Sequence, residues 1–233
     1  MININTKIED IVKLDNAIME FFNRERIDFC CNGHMTIEEV AGEKNIRPQD
    51  LLEKIEKNFN PSYSKEAQGI ELEKFKDLSL KEMVASLIVD HHNKERDLLF
   101  EIDPLLNKIL SVHYKHHGKE LMKLHSLFAN LKKDLEEHFI TEEEVTFPLM
   151  LENENPSPEI IKKVEDLEVD HERAGSLIKE MIDLTSWFKV PEDGCNTYRY
   201  TFNLLEKLVK DIFVHIFKEN SIMFAKYIES EEK

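Results

Sequence analysis

Apolar residues recur at helical spacing along almost the whole chain. Ile8, Ile11, Val12, Leu14, Ile18, Phe21 and Phe22 fall three and four apart, the pattern of a helix with one buried face. Asp28-Phe-Cys-Cys-Asn-Gly33 interrupts it, with Gly33 placed for a turn. Thr36 to Glu39 reads as a capping box that opens a further short helix. Pro48 suits the first position of another, with Leu51, Leu52 and Ile55 on one side. From Asn58 to Gly69 the periodicity lapses and a linker is expected. The pattern therefore predicts a small helical cysteine-bearing N-terminal domain over 1–62, and a second domain over 75–233.

Four long helices are predicted in the second domain. The first starts near Ser79, where Glu82 completes a capping box, carries Met83, Leu87, Leu98 and Leu99, and frays after Pro104. The second runs from about Gly118 to Leu151, and the third from Ser157-Pro158 to about Phe188. Pro191-Glu-Asp-Gly194 separates that helix from a fourth, roughly Thr197 to Ile228. Short connections between long amphipathic helices make antiparallel neighbours. No sustained period-two pattern appears, so the expected fold class is all-α: an up-down-up-down four-helix bundle preceded by the small helical domain.

Composition narrows the function. The formal net charge is −16, which argues against nucleic acid, because phosphate binding needs clustered Lys and Arg. No apolar run reaches the ~20 residues that span a bilayer, and the acidic, alternating N-terminus is unlike a signal peptide. Three cysteines form no disulfide framework. The expectation is a cytoplasmic, reduced protein without nucleic-acid or membrane partners.

The chemistry lies in a repeat. His138 precedes Glu142 by four residues, and His215 precedes Glu219 by four; His92 lies 46 before the first pair and His171 lies 44 before the second. Positions i and i+4 share a helix face. Counted from the predicted helix ends at 1.5 Å per residue, the four histidines fall at one level of the bundle. One helical histidine is more often structural than not; four at one height with duplicated spacing point to metal. The protein donors would be four imidazoles and two carboxylates. Imidazole suits iron, zinc, copper and nickel, whereas bridging carboxylates favour two harder ions. Structural zinc more often brings cysteine. His91, beside His92, is an alternative ligand.

The chain resembles the iron–sulfur cluster repair di-iron proteins, the repair-of-iron-centres group of hemerythrin-like bundles. Ile27-Asp-Phe-Cys-Cys-Asn-Gly33 matches that group's small cysteine-bearing domain. Ile88-Val-Asp-His-His-Asn-Lys-Glu-Arg96 matches its first ligand helix, His138 to Pro148 the second, Val169-Asp-His-Glu-Arg-Ala-Gly175 the third and His215 to Phe224 the fourth. The resemblance implies the ligands His92, His138, Glu142, His171, His215 and Glu219. It implies two non-haem iron ions bridged by two carboxylates, and the net positive charge that two carboxylates would leave on a ferric pair adds the expectation of an oxo or hydroxo bridge. It also implies repair of clusters damaged by oxidative or nitrosative stress, with damaged or apo iron–sulfur proteins as partners and a homodimer through the cysteine domain. Phe224-Ala225 departs from the Phe-Pro that closes the other ligand segment.

The adjacent Cys30 and Cys31 are candidate thiols for docking a cluster or receiving iron; their reactivity would require a lowered pKa. Cys195 reads as incidental, and His113, His116 and His117 as a solvated turn. The alternative function is a di-iron oxidoreductase acting on nitric oxide, nitrite, peroxide or oxygen, which would retain its iron through many turnovers. A redox sensor is a further reading, but no output segment is visible for it.

Overall fold

The computed structural model describes residues 2–59, 69–153 and 155–229, and among these it is helical with one isolated β-bridge, between Lys7 and Thr36, and no strand. Most of the linker read over 58–69 lies outside the described residues. The helices are α1 (Ile8–Leu14), α2 (Ile18–Glu25), α3 (Ile37–Glu43), α4 (Pro48–Asn58), α5 (Gly69–Asp77), α6 (Leu80–Leu87), α7 (Asn93–Thr141), α8 (Phe147–Glu152), α9 (Pro158–Thr185), α10 (Asn196–Lys218) and α11 (Ala225–Ile228). Three π-helical segments join some of them: π1 (Ile88–His92), π2 (Glu142–Thr146) and π3 (Glu219–Phe224). Contacts divide the chain into two compact units, Met1–Met83 with Ile216–Glu229, and Val84–His215. The boundary cuts the continuous last helix.

The first unit is built as its pattern requires. Ile8, Ile11, Phe22, Phe29, Ile37, Leu51 and Ile55 are buried. Thr36 caps α3 by accepting from the Glu39 N–H at 3.2 Å, while the Glu39 carboxylate accepts from the Thr36 N–H at 2.7 Å. Ser79 and Glu82 exchange the same two bonds before α6, and Pro48 takes the first turn of α4. Gly33 lies in a turn where a Cβ would stand 2.6 Å from the Phe29 carbonyl oxygen, so the close approach excludes a side chain. Phe217, from the end of α10, packs against Phe29 with ring centroids 6.2 Å apart.

The second unit corrects the expected helix ends. Helical hydrogen bonding persists from Asn93 through Thr141, with Pro104 inside it. Pro104 is exposed, as is Phe100 four residues before it. The carbonyl that proline leaves unbonded therefore faces water, and the helix survives the break. The segment nevertheless doubles back. A straight helix would put Arg96 and Glu143 about 70 Å apart, yet their side chains meet at 2.8 Å. Lys132 reaches Asp103 at 2.6 Å, and His125 reaches Asn107 at 3.1 Å. These pairs converge on His116–Lys119, where the chain reverses beside the buried Gly118.

The other arms align by similar pairs. Arg173 bonds Asp134 and His171 faces His138, which sets α9 antiparallel to the second arm of α7. Tyr200 bonds Glu101 and Asp211 faces His91, which sets α10 antiparallel to the first arm. The up-down-up-down order follows. Helix α9 stops at Thr185 rather than near Phe188, because Ser186, Trp187 and Phe188 all take positive φ. Thr185 secures this left-handed exit by accepting from the Phe188 N–H at 2.9 Å.

Candidate metal centre

Four buried histidines face one another in two pairs within Val84–His215. The Nε2 atoms of His92 and His215 are 3.1 Å apart, and those of His138 and His171 are 2.9 Å apart. Glu142 lies between the pairs, with Oε2 at 3.3 Å from His92 Nε2 and Oε1 at 3.2 Å from His138 Nε2. Glu142 and all four histidines are at most 5 % exposed. Helix α10 continues from His215 for one turn to Glu219, which is fully buried on the same face. Glu142 and Glu219 are common to two clusters of four potential ligands, one with His92 and His215 and the other with His138 and His171. Within each, one donor atom per residue lies within 4.8 Å of the others. All six residues singled out in the sequence thus converge.

The backbone supports this convergence in a way the sequence does not announce. π1 ends on His92, π2 begins at Glu142 and π3 begins at Glu219. A π turn inserts extra backbone into a helix and re-aims the side chains around it, and such turns are frequent at functional sites. Only α9, which carries His171, passes the centre as uninterrupted α-helix.

The hydrogen bonds behind the rings decide which nitrogen is the donor. His92 Nδ1 lies 2.7 Å from Glu143 Oε1, and His215 Nδ1 lies 3.1 Å from Glu95 Oε1. A carboxylate acceptor keeps the proton on Nδ1. Both Nε2 lone pairs then point at each other across 3.1 Å, an arrangement that favours a cation between them. Metal–nitrogen bonds of ~2.1 Å meeting at a right angle would separate two nitrogens by roughly 3.0 Å, so the residues fit a bound metal ion.

Glu143 is itself gripped by Arg96, at 2.8 and 3.2 Å. Burial pushes its carboxyl upward, but the Arg96 and His92 hydrogen bonds outweigh that and hold it below the usual range. Glu95 is fully buried and burial raises it, against the pull of His215. Behind His138, Asp170 Oδ2 stands 3.7 Å from Nδ1. The His138 imidazole lowers the Asp170 carboxyl. Phe139 packs on His92 with centroids 4.6 Å apart, and Arg96 covers the same ring. This apolar lid restricts water.

His91 turns away from the paired nitrogens. Its Nδ1 lies 3.1 Å from Asp211 Oδ2, while its ring stacks on His215. Sequence reasoning named neither Glu95 nor Asp211. Glu95 lies three residues after His92, and Asp211 four before His215, a helical spacing that could have flagged both.

Of the two candidate thiols, Cys30 is unlike a free nucleophile. Cys30 and Cys31 Sγ are 3.7 Å apart, and Asp28 Oδ1 accepts from the N–H groups of Cys30 and Cys31. The neighbouring Cys31 thiol and then burial push Cys30 well above its usual value. Asp28, Cys30 and Cys31 form a further cluster of potential metal ligands. Cys195, read as incidental, is the thiol with an activating environment. His113 Nε2 lies 3.2 Å from its Sγ. That bond and the Tyr198 N–H at the start of α10 lower it to about 7. His117 bonds Asp193 at 2.8 Å, so the expected solvated turn is partly ordered by the last loop.

Comparison with known proteins agrees with this geometry. Residues 83–227 match the hemerythrin HHE cation binding domain, and residues 4–58 match a domain of unknown function, DUF542, also called ScdA_N. The iron-sulfur cluster repair protein ScdA of Staphylococcus haemolyticus is 26% identical over 232 residues, 97% of this chain and 100% of the relative. The iron-sulfur cluster repair protein YtfE of Pectobacterium atrosepticum is 24% identical over 216 residues, 91% of each chain. A probable iron-sulfur cluster repair protein of Haemophilus influenzae is 25% identical over 228 residues, 97% of each. With facing histidine pairs at its centre and the family match across most of its length, the chain belongs to the hemerythrin HHE cation-binding family.

Proposed function

We propose that this protein holds a non-haem di-iron centre and restores damaged iron–sulfur clusters by supplying iron from it. His92 and His215 would hold one ion, His138 and His171 the other, with Glu142 and Glu219 shared between them. The observation that carries this reading is the paired approach of Nε2 atoms with one carboxylate reaching both pairs. When bound, iron supplies an exchangeable, redox-active cation. Two shared carboxylates would leave a ferric pair positively charged, and an oxo or hydroxo bridge would offset that charge.

The chain's own groups do the remaining work. Glu143 and Glu95 fix the His92 and His215 tautomers. Phe139 and Phe147 flank His92 and restrict water. Protons compete for the same imidazole nitrogens, so acid favours release. Cys30 and Cys31, with Asp28 beside them, are proposed to accept iron or a damaged cluster. The raised proton affinity of Cys30 suits a thiol that ionises when a metal binds rather than a free nucleophile.

Cluster repair is the activity named in the three relatives above, and their alignments span both matched domains. The same reading proposes damaged or apo iron–sulfur proteins as partners, oxidative or nitrosative stress as the occasion, a homodimer through the cysteine-bearing domain, and a cytoplasmic location. Among the described residues no helix is long and apolar enough to cross a membrane.

The test is iron transfer. Protein purified without oxygen is reduced and mixed with an apo-ferredoxin, and the ferredoxin's cluster absorption is followed with its iron content. Iron that leaves this chain as the cluster forms supports repair by donation. Iron that stays bound while nitric oxide or peroxide is consumed over many turnovers would replace this reading with an oxidoreductase.

A further inference from the structure

Behind His215 lies a second group of buried donors, of which the paired centre uses only Glu95 Oε1. Glu95, fully buried, gives Oε1 to His215 Nδ1, while its Oε2 has no hydrogen-bond partner. His91 and Asp211 are 4 % and 8 % exposed and meet through Nδ1 and Oδ2 at 3.1 Å. One donor atom each from His91, Glu95 and Asp211 lies within 4.8 Å of the other two. Lys94, whose side chain is half exposed, closes the group from outside with its ammonium on Asp211 Oδ1.

An ion-pair network alone does not account for Glu95. Its unpartnered Oε2 is costly if ionised, because a buried charged oxygen without a donor loses its hydration. Protonating it leaves an O–H equally without an acceptor. A cation satisfies Oε2 directly and counters two neighbouring carboxylates, of which Lys94 reaches only Asp211.

We propose that His91, Glu95 and Asp211 form a third cation site, separate from the paired centre and fitted to a divalent ion such as Fe2+. One imidazole and two carboxylates suit Fe2+, Mn2+ or Zn2+, and the two carboxylates neutralise a divalent charge. Lys94 stands in for the ion: its ammonium rests on Asp211 and its flexible stem leads to solvent, so it withdraws as the ion enters. The site is linked to the paired centre through one carboxylate. An ion on Glu95 Oε2 draws electron density from the oxygen that accepts the His215 proton, and this weakens His215 as a ligand. Filling the third site therefore loosens the ion held by His92 and His215. The proposal rests on the di-iron reading only for that coupling.

The test is anaerobic titration of the full-length apoprotein with Fe2+ alone, followed by anomalous diffraction at the iron edge. The wild type is expected to bind three ions per chain, the third more weakly, with its peak between His91 Nδ1, Asp211 Oδ2 and Glu95 Oε2. Asp211→Asn should lose that peak and bind two. Lys94→Gln, an exposed change that threatens the fold least, should bind the third ion more tightly because it removes the competing ammonium. Two ions in the wild type, a third peak elsewhere, a third ion retained in Asp211→Asn, or unchanged affinity in Lys94→Gln overturns the proposal. An ion at this site with an empty paired centre would instead overturn the di-iron reading and leave the third site standing.

Discussion

The two halves of the centre share a carboxylate but differ in what stands behind their histidines. Behind His92 and His215 are Glu143, held by Arg96, and the fully buried Glu95, at 2.7 and 3.1 Å. Behind His138 is Asp170, a third exposed and 3.7 Å away. Carboxylates in such positions fix ring orientation and raise basicity, and their loss commonly weakens metal binding by roughly 10–100-fold. The difference teaches that symmetric ligands need not make equal sites. On the proposed di-iron reading, His92, backed at 2.7 Å, is expected to hold its ion more firmly than His138, backed at 3.7 Å, holds the other.

The largest effect should come from Glu142, on which both halves depend. Glu142→Gln removes the charge that reaches His92 and His138 together, and metal analysis should show loss of both ions; an unchanged content would mean that Glu142 bridges nothing. Phe139 comes next. It is fully buried and packs on His92, so Phe139→Ala should lower unfolding stability by about 3–5 kcal/mol. Denaturant unfolding of the apoprotein measures it, and a loss under about 1 kcal/mol would show that the site collapses around the cavity.

Smaller effects separate the halves. Glu143→Gln should weaken the first ion by roughly 10–100-fold, whereas Asp170→Asn should fall below that range. Competition with a coloured chelator reads both variants, and equal losses would abolish the proposed asymmetry. The smallest effect serves as a control outside the centre. Thiolate, the reactive form, predominates above the pKa, so alkylation of the exposed Cys195 should rise through about pH 7 and then level off. His113→Gln should move the rise to higher pH, and the buried Cys30 should stay unreactive across it. A Cys195 profile like that of an ordinary thiol would show that His113 does not activate it.

Much of this was legible in the chain. The two i, i+4 pairs pick out His138, Glu142, His215 and Glu219 because helical geometry turns sequence spacing directly into a shared face, and His92 and His171 join them through the common level of the four helices. The capping boxes at Thr36 and Ser79 were readable for the same reason: each is complete within four residues. Features that depend on tertiary packing were not. Pro104 reads as a helix end, yet on the exposed side of α7 the carbonyl it leaves unbonded is open to solvent. The reversal near Gly118 leaves no break in helical bonding. The π turns at His92, Glu142 and Glu219 have no local signature in the apolar spacing. Cys195 and His113 are 82 positions apart, so the environment of that thiol exists only in the fold.

The central claim is that two ions are held as a pair. Iron analysis together with Mössbauer spectroscopy in a weak field, on oxidised full-length protein reconstituted with iron-57, tests it most directly. The account predicts a pair of irons magnetically coupled to a diamagnetic ground state by the ligands they share, with iron on His91, Glu95 and Asp211 giving a separate, uncoupled signal. A single iron, two uncoupled irons or none would contradict it.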